Sequence, residues 1–239
     1  MTALHGKTIV ITGASKGIGR AIAISLSGMK VNLGLMARGE ADLKQVQETC
    51  IANGSNCQIY TGSVGDEDFA NNAIASVIEK FGKIDILINN AGFGIFKNAE
   101  ETTAEEWDDV FATNARGTFL VSKAAIPSMK KIMQGHIINV ASDVAKRTFA
   151  GGALYCASKY AQDAFSMAIR KELRPFNIKV SVVYSGLVDS YFHKEPQGSV
   201  SHDAWLKNED MANAIIYIAA QPPHVVIDEL MIHPLSQDY

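Results

Sequence analysis

Residues 7–19 constrain this chain more than any other stretch. From Lys7 to Thr12 the run is short, β-branched and mostly apolar. It leads straight into Gly13-Ala14-Ser15-Lys16-Gly17-Ile18-Gly19, and a helix-favouring segment follows through Leu26. The pattern reads as strand, glycine turn, helix. Gly13 permits the tight turn, Gly17 lets a phosphate approach the backbone, and Gly19 lets the helix pack closely on the strand. The first turn of such a helix presents unbonded N–H groups to an anion. Gly13, Ser15, Lys16, Gly17, Ile18 and Gly19 are therefore candidate contacts for a pyrophosphate.

Strand-like and helical segments then alternate. A strand from Val31 to Met36 follows a helix stop at Gly28, and a helix runs from Glu40 to Ala52. A short strand at Gln58 to Tyr60 and a helix from Asp66 to Phe81 come next. Ile84-Asp85-Ile86-Leu87-Ile88 is apolar at nearly every position, as in a parallel strand covered on both faces. It ends at Asn89-Asn90-Ala91-Gly92. The carboxyl ends of strands in an open α/β sheet border the ligand crevice, so Asn90, Ala91 and Gly92 join the candidates. Residues 103–132 read as two helices or one bent one, opened by Thr103, Glu105 and Glu106 and carrying Pro127 late in their course. Asn114 falls in the middle of this stretch. Its poor helix propensity calls for either a solvent-facing position or a buried polar role.

Further on, the strand Ile137 to Val140 runs into Ala141-Ser142-Asp143, and a helix spans Ala153 to Arg174. A strand at Lys179 to Tyr184, a helix from Asn208 to Ala220 and a closing strand from Val225 to Ile232 complete the count. Seven strands with helices between them predict an α/β fold, with one domain over residues 1–239. Between 186 and 208 the periodicity is lost while Tyr191, Phe192, His193 and Trp205 accumulate. A long irregular stretch rich in aromatics reads as an ordering lid over a site, with His193 and His202 either lining it or solvated.

Tyr155 and Lys159 stand four residues apart in the Ala-rich helical segment, so they share a face. A phenol that works as a proton donor near neutrality needs its pKa lowered by about three units. One cation at about 4 Å supplies an effect of that order. Ser142, at the end of a strand, lies thirteen residues upstream. Cys156 sits about 100° around the helix from Tyr155 and reads as a packing residue. At the end of the second strand, where an acid reading a ribose would stand, the residue is Arg38. Arg38 with Lys16 could embrace a 2′-phosphate, which favours NADP(H) over NAD(H), while Glu40 keeps the other choice open.

Twenty-two basic against 25 acidic residues and a net charge of -3 exclude the basic footprint of a nucleic-acid binder or a polybasic membrane anchor. No apolar run reaches the length of a membrane span. Three cysteines without a Cys-x-x-Cys pair fit free thiols in a cytoplasm. The six histidines are scattered without metal-ligand spacing, so no metal is expected.

Thr12-Gly13-x-x-x-Gly17-x-Gly19, Asn89-Asn90-Ala91-Gly92, Asn114, Ser142 and Tyr155-x-x-x-Lys159 stand in one order and spacing. On these motifs the chain resembles the short-chain dehydrogenase/reductase family from Thr12 to about Ser190. The resemblance implies a Rossmann-type doubly wound sheet of about seven mostly parallel strands, with helices on both faces. It implies a nicotinamide cofactor and hydride transfer to or from a small to medium carbonyl or alcohol substrate. Tyr155 would give the proton, Ser142 would hold the oxygen, and Lys159 would lower the tyrosine and bind the ribose. Asn114 would hold a water that connects the lysine to solvent. By the same resemblance Ser63 and Val64 would touch the adenine, and Gly186, Val188 and Ser190 the carboxamide and phosphate side. A homodimer or homotetramer through helices around 116–132 and 153–174 is implied as well. This chain departs from the common pattern at Ser63-Val64, at Ser185-Gly186 and in a C-terminal segment without glycine. Two alternatives stand beside the carbonyl reductase. One is a 3-ketoacyl thioester reductase with Lys130, Lys131, Lys146 and Arg147 as a carrier-docking patch. The other is a non-catalytic dinucleotide sensor on the same fold.

Overall fold

The computed structural model describes residues 2–192 and 196–238. The strands are β1 (Thr8–Thr12), β2 (Asn32–Ala37), β3 (Asn56–Thr61), β4 (Ile86–Asn89), β5 (Gly135–Ser142), β6 (Ile178–Ser185) and β7 (Glu229–Ile232). The main helices are α1 (Gly17–Ser27), α2 (Glu40–Ala52), α3 (Glu67–Phe81), α4 (Ala104–Phe111), α5 (Gly117–Lys131), α6 (Ala153–Leu173) and α7 (Asn208–Ala219). All neighbouring strands pair parallel in the order β3-β2-β1-β4-β5-β6-β7. This is the Rossmann-type α/β fold.

Side-chain alternation along β1 divides the core. Ile9 and Ile11 point to the layer of α1, α2 and α7, where they meet Ile22, Leu26, Leu43, Val46 and Ile215. Val10 points the other way, toward Ile74 and Val77 of α3, Leu120 and Val121 of α5, and Ile169 of α6. Both faces of the central strands are thereby dry, which is why β1 and β4 are largely apolar, while the edge strands β3 and β7 stay partly exposed. Asp85 is the exception just before β4. Its carboxylate accepts from the Thr8 amide at 2.9 Å and from the Lys7 and Lys83 ammonium groups at 3.0 Å each, fastening the beginnings of β1 and β4 together.

Because β2 and β3 lie on one side of β1 and β4 on the other, the chain reverses direction at β1. The crevice opens at that reversal, between the loop after β1 and the loop after β4.

Three local expectations are refined. The stretch 103–132 is one continuous helical run in which a π turn, Ala112–Arg116, joins α4 to α5, with Gly117 N–H bonding the Ala112 carbonyl. Asn114 occupies that turn fully buried. β7 begins only at Glu229; ahead of it the Val225 carbonyl accepts from Lys179 Nζ at 3.1 Å, and the Asp228 carbonyl accepts from Arg170 at 2.7 Å as well as from Val182 N–H at 3.0 Å. The described residues of the 186–208 stretch gather around one carboxylate. Asp189 accepts from Gly198 N–H, His202 Nδ1 and Lys207 Nζ, while its backbone pairs with Leu206. His202 is therefore buried against Asp189 and stacked on Trp205 at 3.9 Å rather than solvated, and His193 lies outside the described residues. Among the described residues no helix is long and apolar enough to cross a membrane.

Candidate active site

Gly13 takes φ +65°, and a β-carbon there would lie 2.9 Å from Ala91 Cα. A β-carbon on Gly19 would collide with the Gly13 carbonyl and sit 2.6 Å from Asn90 Nδ2. The glycine turn is thus pressed onto the loop after β4, and Asn90 braces it. Asn90 Nδ2 donates to the carbonyls of Thr12 and Gly13 at 3.1 and 3.3 Å, and Thr12 Oγ1 accepts from the Asn90 and Ala91 amides. α1 starts without a side-chain cap, which leaves its first N–H groups facing the crevice unclaimed by any cap.

The crevice is a cavity of about 710 Å³ that links two ends. At one end stand Arg38, Gly39, Ser63 and Val64; at the other stand Ser142, Tyr155, Lys159 and the segment from Gly186 to Phe192. Gly13, Ser15, Lys16, Gly17, Ile18, Asn90, Ala91 and Gly92 line the middle. Of the expected site residues only Gly19 and Asn114 lie behind this lining. A long two-headed molecule with a central anion matches that sequence of surfaces, so the residues present fit a dinucleotide. One further residue was not legible in the sequence. Asn208, at the start of α7, is buried with its Oδ1 unpartnered and would lie 3.6 Å from a β-carbon on Gly17. It lines a smaller adjoining cavity together with Ser15, Lys16, Gly17 and Tyr191; an isolated Asn before a helix reads as an N-terminal signal, and nothing in its spacing marks that place.

The two cations expected at the adenosine end differ in state. Lys16 Nζ lies 3.1 Å from Asp42 and 5.5 Å over the Tyr191 ring. Arg38 is exposed, 5.9 Å from the Phe93 ring, and has no carboxylate partner among the described residues. Glu40, the residue that kept the alternative open, is bound to Lys44 at 2.6 Å.

At the other end Tyr155 and Lys159 share the inner face of α6, both buried. Burial pushes the Tyr155 phenol well above its ordinary value; a hydrogen bond with Ser142 pulls it down, and the Asp143 carboxylate pushes it further up. Burial lowers Lys159 to about 7. The expectation that Lys159 lowers the phenol is not realised in this state. Its ammonium donates to the Val140 carbonyl at 3.1 Å and to Gln162 Oε1 at 2.9 Å, and it stands 5.9 Å from the tyrosine ring centre. Desolvation dominates both groups. Ser142 Oγ faces Asp143 Oδ1 at 3.1 Å and the Ser185 carbonyl at 3.3 Å.

Asn114 fills the buried polar role of the two that its helix position allowed. Its Oδ1 accepts from Phe93 N–H, and its Nδ2 donates to the Phe93 carbonyl and to Ser158 Oγ. Its side chain is committed to protein groups, and the link to Lys159 also runs through the protein. Lys159 donates to Gln162, Gln162 Nε2 donates to Thr118 Oγ1 at 2.9 Å, and Thr118 donates to the Asn114 carbonyl at 2.9 Å. Gln162 and Thr118 carry no motif, so only the fold reveals them. Gln237 is likewise new. Its amide donates to Asp143 at 2.8 Å and accepts from the Leu187 N–H at 2.8 Å, tying the C-terminal segment to both walls of the site.

The model of the short chain dehydrogenase family matches residues 7–198. Sepiapterin reductase of Chlorobaculum tepidum is 30% identical, with 96% of this chain and 97% of that protein covered. An alcohol dehydrogenase from the archaeon Thermococcus sibiricus, solved with 5-hydroxy-NADP, superposes with a TM-score of 0.92 at 30% identity, covering 98% and 99% of the two chains. A metagenomic short-chain oxidoreductase in complex with NADP gives 0.86 at 30% identity over 98% and 100%. The chain belongs to the short-chain dehydrogenase/reductase family and is an oxidoreductase.

Proposed function

We propose that this protein interconverts a small to medium carbonyl compound and its alcohol with NADP(H), which supplies or takes up the hydride. The observation that carries the reading is the single cavity joining Arg38 at one end to Ser142, Tyr155 and Lys159 at the other. The NADP-bound structural relatives support it.

In this reading the first turn of α1 holds the pyrophosphate, with Ser190 and Asn208 opposite. Arg38 takes the 2′-phosphate; Lys16 contributes less, because Asp42 already neutralises it. Ser63 and Val64 border the adenine, and Asn90, Ala91, Gly92, Gly186 and Val188 the remaining length of the cofactor. Ser142 turns its hydroxyl from Asp143 to the substrate oxygen, and Tyr155 gives that oxygen its proton in reduction or removes it in oxidation. Lys159 sustains the tyrosine, and Gln162, Thr118 and Asn114 hold the lysine in place. The segment 186–208 acts as the lid. Phe119, Tyr160 and Met167, exposed on α5 and α6, support a homodimer or homotetramer through those helices.

Part of the thioester alternative's docking patch is compensated: Lys146 is paired with Asp163 and Glu229 and Arg147 with Asp143, while Lys130, over the Phe176 ring, and exposed Lys131 keep their charge. Initial rates with NADPH and NADH over a ketone and aldehyde panel test the whole reading. The expected result is turnover with NADPH preferred, a preference that Arg38→Ala erases. Tyr155→Phe should lower kcat by about a hundredfold or more while NADPH still binds. Substantial activity left in Tyr155→Phe refutes the role of the phenol, and NADPH binding without any turnover points to the sensor.

A further inference from the structure

We propose that the substrate carries an aromatic ring beside its carbonyl and no charged group. This rests on the reading of Ser142 and Tyr155 as the pair that receives the carbonyl oxygen. Three phenyl rings from separate parts of the chain gather around Tyr155: Phe96 after β4, Phe149 before α6 and Phe192 in the segment after β6. Phe96 stands edge-on to Tyr155 at 5.5 Å and 77°, and Phe192 is tilted against it at 5.3 Å. Phe96 lies 5.9 Å from both Phe149 and Phe192.

The cluster is built rather than incidental. A β-carbon on Gly94 would come within 2.9 Å of both the Phe96 and Phe192 rings, and one on Gly152 within 2.5 Å of the Phe149 ring. Those two glycines make the room the rings occupy. Yet Phe96 and Phe149 remain 39% and 40% exposed, so two large apolar faces look into the cavity mouth with their own packing incomplete. A planar aryl group entering above Tyr155 completes the edge-to-face arrangement that such rings prefer.

Charge at this end points the same way. Arg147 directs Nε and Nη2 at Asp143 Oδ2, the former at 2.9 Å, and Asp143 also receives Gln237 and His233. The cation is neutralised by its neighbour and the carboxylate is saturated. Among the described residues lining this end, Lys159 alone has no opposite charge, and it lies beneath the tyrosine. A substrate ammonium therefore finds no counter-charge here, and a carboxylate only that of Lys159 beneath the tyrosine, out of contact with the mouth where the rings lie, so either loses hydration without an accessible partner.

The test uses the purified protein with NADPH and three carbonyl compounds: acetophenone, 2-butanone and phenylglyoxylate, in which a carboxylate replaces the methyl group of acetophenone. Acetophenone should exceed each of the others by about tenfold or more in kcat/KM. Phe149→Ala should shrink the acetophenone to 2-butanone ratio several-fold, and Phe149→Leu, which keeps apolar bulk without a ring, should shrink it less. Preference for phenylglyoxylate or 2-butanone overturns the inference while leaving the oxidoreductase reading intact. An unchanged ratio in Phe149→Ala also overturns it. Absence of turnover with every carbonyl overturns both.

Discussion

Lys159 has 4% of its surface exposed and its ammonium between two neutral acceptors, and that placement has a pH signature. Its folded-state value of about 7 lies below the ~10.4 of an unfolded lysine. Between those two values the unfolded chain binds the extra proton, so this residue's contribution to stability rises with pH across the window. At pH 6 the folded protein bears the full cost of a buried charge. Lys159→Met should therefore raise the melting temperature more at pH 6 than at pH 9, a comparison that thermal denaturation in two buffers decides. The spacing Tyr-x-x-x-Lys made the pair legible in the sequence. The state of its charges was not, because desolvation depends on what the fold stacks above the residues and leaves no trace in their spacing.

At the level of single elements, the segment between β6 and α7 depends on Asp189. Bonds from Gly198 N–H hold its carboxyl below the usual range against the opposing effect of burial, with help from His202 and Lys207. A carboxylate lowered in this way stabilises the segment at all pH values above ~4 and ceases to do so as pH falls through its folded value. Asp189→Asn keeps the size and loses the charge. It should raise KM for cofactor and substrate several-fold and speed amide exchange across 186–206, with the sheet's exchange unchanged, as hydrogen–deuterium exchange would reveal. Periodicity located this segment by its absence. The residue that organises it escaped notice, because an Asp serving bonds up to eighteen residues away has no local pattern to show. The reverse holds for Asn114. Its misfit with helix propensity was the signal, and the π turn with the bonds to Phe93 is the answer.

Across the whole molecule, the sheet and its crevice were the most legible part, because parallel strands dry on both faces leave continuous apolar runs and glycine turns mark their ends. What the runs concealed is how the strands are fastened. Asp85 interrupts an apolar stretch and bonds β1 to β4 beside the point where the chain reverses. Asp85→Ala leaves a buried N–H and two lysines without their acceptor, and should cost about 1–3 kcal/mol of unfolding free energy. Urea denaturation measures it, and an unchanged midpoint would remove this fastening from the account. Strand pairing between distant segments was invisible for the same reason that Gln162 and Gln237 were: contacts over 44 or 94 residues are made by topology.

The π turn at Ala112–Arg116 has a consequence for chain length. It holds one residue more than an α turn requires, and the wider turn absorbs that residue within itself. In ordinary helical bonding the same residue would swing α5 round by about 100°, taking Leu120 and Val121 out of the core and Thr118 away from Gln162. The π turn therefore keeps α5 in phase with α4 and sets Asn114 in the buried place where it meets Phe93 and Ser158. Deleting one residue of the turn leaves α5 facing as before, and what changes is the wall behind the site.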